Sequence, residues 1–102
     1  MKATMVRDLP QAERPREKLL SEGPRALTNA ELLAILLRTG TKEESVLHLA
    51  ERILSRVKEL GIASLVNVSP LELSEIKGIG PAKALTILAA IEFGRRIGAK
   101  TA

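Results

Sequence analysis

Two lysines bracket a glycine-rich turn in Lys77-Gly78-Ile79-Gly80-Pro81-Ala82-Lys83-Ala84. Residues of these types, so spaced, can hold a phosphate oxygen. Gly78 and Gly80 can adopt φ > 0 and let another backbone come close. Pro81 suits the first turn of a helix, where a missing N–H costs nothing. The amides of such a turn have no partner within the helix and lie at the positive end of its dipole, which favours an anion. Lys77 and Lys83 add charge where a strand would pass. Other chemistries are poorly supplied. Cysteine is absent, which excludes disulfides and zinc–thiolate sites. His48 is the one histidine, too few for a His-based metal site, and a helix-surface or half-buried role is expected of it. Glu72 and Glu75 flank the turn without His, Cys or a metal cluster, and the dipole at a helix start is reason enough for them. No catalytic residue, metal or cofactor is expected.

The elements that must position this turn run from Leu71 to Ile97. A short helix is predicted to end at Ile76–Lys77, and a longer one to start directly after the turn. Ile79, apolar between two glycines, would plug the gap between them, and Ala84 is small where they must touch. The pattern Leu73-x-x-Ile76-x-Gly78-Ile79-Gly80-x-x-x-Ala84-x-x-Ile87 resembles the helix-hairpin-helix motif of sequence-independent DNA-binding proteins. The resemblance makes Lys77, Gly78, Ile79, Gly80, Ala82, Lys83 and Ala84 the candidate DNA-binding residues.

Charge follows the same region. Residues 77–102 hold Lys77, Lys83, Arg95, Arg96 and Lys100 against Glu92, which accounts for the whole net charge of +4. Residues 1–76 balance. An excess so placed suggests a binding face. With one Phe and neither Trp nor Tyr, the chain lacks platforms for base stacking, leaving backbone contact as the expected mode. At 102 residues and 45% hydrophobic composition the chain can bury a core. No apolar run is long enough to span a bilayer and no secretory segment opens the chain, so a cytoplasmic setting without membrane contact is expected.

Residues 1–13 show little periodicity and are expected to form an extended lead to a single helical domain over 14–102. Arg14-Pro15-Arg16-Glu17 should open a helix with Leu19 and Leu20 facing inward and Gly23-Pro24 ending it. The alternating charges of residues 13–18 suggest a surface ion-pair set. Thr28-Asn29-Ala30-Glu31 is a capping box, and Leu32 to Leu37, apolar on every side, reads as a central buried helix ending near Arg38-Thr39-Gly40. Thr41 to Glu44 repeats the capping pattern. Val46, Leu49, Ala50, Ile53, Leu54 and Val57 then form one helical stripe, closed by Gly61. Ile62 to Val66 suggests a short helix or single turn. Ser69-Pro70-x-Glu72 supplies a cap and an N1 proline. No strand is predicted. The expected fold is all-α, a compact bundle of five to six short helices built on the hairpin.

An internal echo is present: Leu33-x-x-Leu36-x-x-x-Gly40 before the Val46 helix parallels Leu73-x-x-Ile76-x-x-x-Gly80 before the Ala84 helix. Arg38 and Thr39 stand where Gly78 and Ile79 stand later. A pseudo-duplicated pair is thus expected, with a weaker half that makes secondary DNA contact through Arg38, Gly40 and Lys42.

Three stretches extend the likeness: residues 13–20, residues 27–41 with Leu37-Arg38-Thr39-Gly40-Thr41, and residues 77–84. Together they resemble the N-terminal region of the bacterial RadC family, over essentially the whole chain. That family is known by name as a DNA repair protein. Its members carry a C-terminal domain similar to MPN-type zinc metalloproteases, with a paired-histidine and aspartate metal site. The resemblance therefore implies that this chain is a piece of a longer protein, with none of that metal chemistry on its own residues. Two functions follow as expectations. One is a non-catalytic DNA-binding module with slight sequence preference, with affinity on the order of 10⁻⁴–10⁻⁶ M at physiological salt. The other is a docking module for the C-terminal domain or its substrate, which an exposed apolar patch would favour.

Overall fold

The computed structural model describes residues 14–99, and these are all-α. The chain divides into two compact units at Ser55/Arg56.

In the first unit, α1 (Pro15–Glu22) opens on Pro15 at its first position, with Arg14 extended before it. It closes at Gly23, φ 86°, whose N–H donates to the Leu19 carbonyl at 2.9 Å. Leu19 is half-buried, but Leu20 is 89% exposed, so only one of the two expected inward leucines turns in. Adjacent helical positions sit about 100° apart, so neighbours rarely share a narrow buried face. Pro24–Ala26 form a 3₁₀ turn. The capping box then forms as expected: Thr28 Oγ1 accepts from Glu31 N–H at 3.1 Å and Glu31 Oε1 accepts from Thr28 N–H at 2.8 Å. Glu31 also takes Lys18 Nζ at 3.2 Å, tying α1 to α2 (Asn29–Leu37).

The α2 helix pairs chiefly with α3 (Val46–Ser55). Leu33, Ala34 and Leu37 meet Val46, Leu49, Ala50 and Ile53 in a core where Leu49 and Ala50 are fully buried. Burying one such leucine or isoleucine contributes roughly 1.5–3 kcal/mol. The expectation of a helix buried on every side is corrected: Leu32 and Leu36, four apart, are 37% and 39% exposed. A single partner helix covers one stripe, whatever the composition of the other.

The second capping pattern is also corrected. Thr41 Oγ1 accepts from Glu43 N–H and Glu44 N–H, both at 3.2 Å, closing a turn that leads into no helix. Ser45 caps α3 instead, its Oγ accepting from His48 N–H at 3.1 Å and its carbonyl from Leu49 N–H. Regular helix stops at Ser55, short of the predicted stripe, and turns run to Gly61 at φ 87°.

In the second unit a 3₁₀ turn, Ile62–Asn67, precedes α4 (Pro70–Ser74) and α5 (Pro81–Ala99). Ser69 and Glu72 form the expected capping box over the N1 proline. The first hairpin helix ends at Ser74 rather than at Ile76–Lys77. Ile76 N–H reaches back three residues to Leu73, and Ile79 N–H three to Ile76, so the chain tightens before the turn. The core is Leu73, Ile76, Ile79, Ala84 and Ile87. Residues 1–13 and the tail lie outside the described residues, and with them the expected extended lead.

Candidate nucleic-acid interface

The geometry of the second-unit turn starts at Gly78, φ 97°, where an L side chain would be strained. Ile79 follows, 5% exposed, and fills the space between α4 and α5 as a plug. Gly80 does not use a positive φ, contrary to expectation. Its carbonyl accepts from Ala84 N–H at 3.0 Å, which makes it the residue that opens α5. A Cβ built on Gly80 would meet nothing within 4 Å. Pro81 offers no N–H, and the amides of Gly80 and Ala82 have no backbone partner among the described residues. Lys77 is exposed and Lys83 half-buried beside them. Ala84 is buried, so its part is to let the two helices approach. Of the seven predicted positions, Ile79 and Ala84 are buried and the other five are exposed or half-buried.

Positive charge is less concentrated than the sequence suggests. Glu92 accepts from Arg95 Nη2 at 2.9 Å and Arg96 Nε at 2.8 Å. The two guanidiniums, Arg95 foremost, hold its carboxyl down to about 2. At 1.5 Å per residue, Arg95 lies roughly 20 Å along α5 from the turn. Lys77 and Lys83 thus supply the local charge.

The first-unit turn is built differently. Arg38 ends α2 at φ 72°, ψ −50°, and it is the one non-glycine residue at positive φ among those described. Thr39 N–H donates to the Leu37 carbonyl at 2.8 Å, completing a γ-turn of the strained, positive-φ kind. Such a backbone costs on the order of 1–3 kcal/mol. Gly40 has no room for a side chain: a Cβ would lie 2.3 Å from the Glu44 carbonyl oxygen and 2.7 Å from Val46 N. Lys42 is exposed on the loop beyond. Arg38 also lines a cavity of about 180 Å³ together with Arg14, Arg16 and Glu17. Of the ion-pair set expected over residues 13–18, Glu13 lies outside the described residues, Arg16 and Glu17 form no ion pair among those described, and Lys18 pairs with Glu31.

Nearby, Glu44 is buried and bound on two sides. It accepts Arg52 Nη2 at 2.6 Å and Nε at 3.0 Å, and its other contact is His48 Nδ1. Arg52 foremost, with His48, outweighs burial and holds the Glu44 carboxyl below its usual range. His48 itself is exposed on α3, the surface role expected of it.

Comparison with known proteins matches the model of the UPF0758 N-terminal family to residues 6–85, most of the chain. The chain belongs to this family. The match bears out its resemblance to the N-terminal region of RadC-like proteins. Among curated UPF0758 relatives, GK2618 of Geobacillus kaustophilus is 57% identical over 95 residues, 93% of this chain and 41% of the relative. A UPF0758 protein of Desulforamulus reducens is 49% identical over 98 residues, 96% of this chain and 42% of the relative. The chain thus spans about two fifths of the UPF0758 relatives it matches. No solved structure matches. The UPF0758 match covers both turns, but stops at residue 85, just past the start of α5. Among the described residues no helix is long and apolar enough to cross a membrane.

Sequence reasoning missed two features. The cavity residues come from segments twenty residues apart, and no spacing rule joins them. The Glu44–His48–Arg52 set joins a residue of the loop before α3 to two residues one turn apart on it, and the capping pattern of Thr41 to Glu44 does not point to it.

Proposed function

We propose that the second unit is a non-catalytic DNA-binding module of a RadC-like, repair-associated protein, and that it grips the phosphate backbone without sequence specificity. The observation that supports this best is Gly80. Its φ is not positive and its missing side chain would face open space, so neither strain nor packing requires glycine there, and its one local role is to cap α5 better than alanine would. Bulk there would obstruct a strand approaching the Gly80 and Ala82 amides, with Lys77 and Lys83 beside it. Gly80→Asp adds a capping carboxylate that can occupy the Ala82 amide and places a negative charge at the turn. Fluorescence anisotropy with a short labelled duplex should then show affinity weakened roughly tenfold or more, with thermal stability retained. Gly94→Asp adds the same charge to an open site on α5 and should cost far less. Equal losses from both variants, or none from Gly80→Asp, would reject the proposal.

One observation favours a docking role as the second reading. Leu85, Phe93 and Ile97 are 65%, 68% and 55% exposed along one side of α5, an apolar face that the remaining part of the longer relatives could cover. Salt separates the two: phosphate contacts weaken steeply as it rises, and apolar docking does not.

A further inference from the structure

The cavity in the first unit is bounded by both charge and carbon. Arg14, Arg16, Glu17 and Arg38 contribute to its wall, and Pro15, Ile35 and Val46 give it an apolar part. Three arginines and one glutamate thus line it. Of the other described arginines, Arg52 pairs with Glu44 and Arg95 and Arg96 with Glu92, while the exposed Arg25 and Arg56 form no ion pair among the described residues. Arg16 and Arg38 have no ion-pair partner among the described residues. Both residues line one concavity, and a pair of guanidinium forks suits an anion with paired oxygens.

The turn that carries Arg38 strengthens this. Glycine ends other segments of this chain at positive φ, at Gly23 and Gly61, and would fit the Leu37–Thr39 turn without strain. Arginine sits there instead. Gly40, packed on the backbone of residues 44–46, and the Thr41 N–H bond to the Glu44 carbonyl at 3.0 Å hold the strained turn in place. Strain retained at a residue that lines a cavity is the pattern of a functional position.

We propose that this cavity binds a small organic anion, a single carboxylate or monophosphate on a compact apolar body. Arg16 and Arg38 hold the anionic group, and Pro15, Ile35 and Val46 hold the body. Size limits the ligand. A dry cavity of about 150 Å³ accommodates benzene, so about 180 Å³ suits one ring or a short branched chain with its charged group at the wall.

The test is a ¹⁵N NMR titration of the whole chain with benzoate, phenyl phosphate, inorganic phosphate and neutral benzyl alcohol. Saturable shifts at Arg16, Ile35, Arg38 and Thr39 are expected with benzoate, phenyl phosphate or both, and whichever binds tighter identifies carboxylate or phosphate as the natural head group. Benzyl alcohol, without the charge, and inorganic phosphate, without the body, should each bind roughly tenfold more weakly. Arg38→Gly relieves the turn, so it should fold at least as stably as the parent while losing roughly tenfold in affinity; Arg16→Gln should lose affinity in the same sense. Benzyl alcohol binding as tightly as the acids would overturn the proposal, as would no saturable shift with either acid or unchanged affinity in Arg38→Gly.

Discussion

Residues 33–40 and 73–80 share one spacing, Leu-x-x-Leu/Ile-x-x-x-Gly, and the structure puts that spacing to opposite uses. In the first turn the positive φ falls on Arg38 and in the second on the equivalent Gly78. Thr39 is exposed where Ile79 is a buried plug. The terminal glycines differ most. Gly40 is pressed against the backbone of residues 44–46, whereas Gly80 faces open space. Loop length explains this: α5 starts directly after Gly80, while α3 waits until Val46, and the intervening residues fold back over Gly40. A glycine can serve the chain's own packing or leave room for another molecule, and sequence spacing alone does not distinguish the two.

The largest effect that would test this contrast is Gly40→Ala. With backbone oxygen 2.3 Å from the new Cβ, the loop must move, and chemical denaturation should register a loss of about 3 kcal/mol or more. Gly80→Ala should lose no more than about 1 kcal/mol, the cost of a poorer helix cap. Similar losses at the two sites would break the comparison.

Gly78→Ala and Arg38→Gly probe the equivalent positive-φ positions in opposite directions. The first should destabilise by about 1–2 kcal/mol, since alanine gains the strain that glycine avoids. The second should leave stability unchanged or raise it by up to roughly 1 kcal/mol, despite deleting a large side chain. A marked loss in Arg38→Gly would mean that the guanidinium supports the fold.

Glu44, whose carbonyl crowds Gly40, gives the first unit a pH dependence. Its folded pKa lies below its unfolded value because Arg52 binds the carboxylate. Its contribution is therefore fully present above the unfolded value, about pH 4.3, and is lost as pH falls through the folded one. Glu44→Gln should cost about 1 kcal/mol at neutral pH and flatten stability measured by urea titration between pH 5 and 3, on the order of that range. An unchanged slope would show that the contact contributes little.

Much of this fold was legible because its helix starts are marked by local chemistry. The capping boxes Thr28–Glu31 and Ser69–Glu72 and the prolines at 15, 70 and 81 need only near neighbours to act. Orientation was harder to read. In Leu32–Leu37 no polar residue marks the outer side, so the exposure of Leu32 and Leu36 depends on which helix covers α2. The Thr41–Glu44 pattern misled because Glu44 had a stronger partner two turns along α3, in Arg52. At the candidate interface the turn, the plug and the flanking lysines followed from sequence. The distinct roles of Gly40 and Gly80 did not, since both depend on what the intervening loop does in three dimensions.

The most direct measurement is a ¹⁵N NMR titration of the chain with a short DNA duplex at low and moderate salt. A working phosphate clamp predicts amide shifts concentrated at Lys77–Ala84 that fade as salt rises. Absence of shifts there at low salt would contradict it and leave the hairpin as scaffold alone.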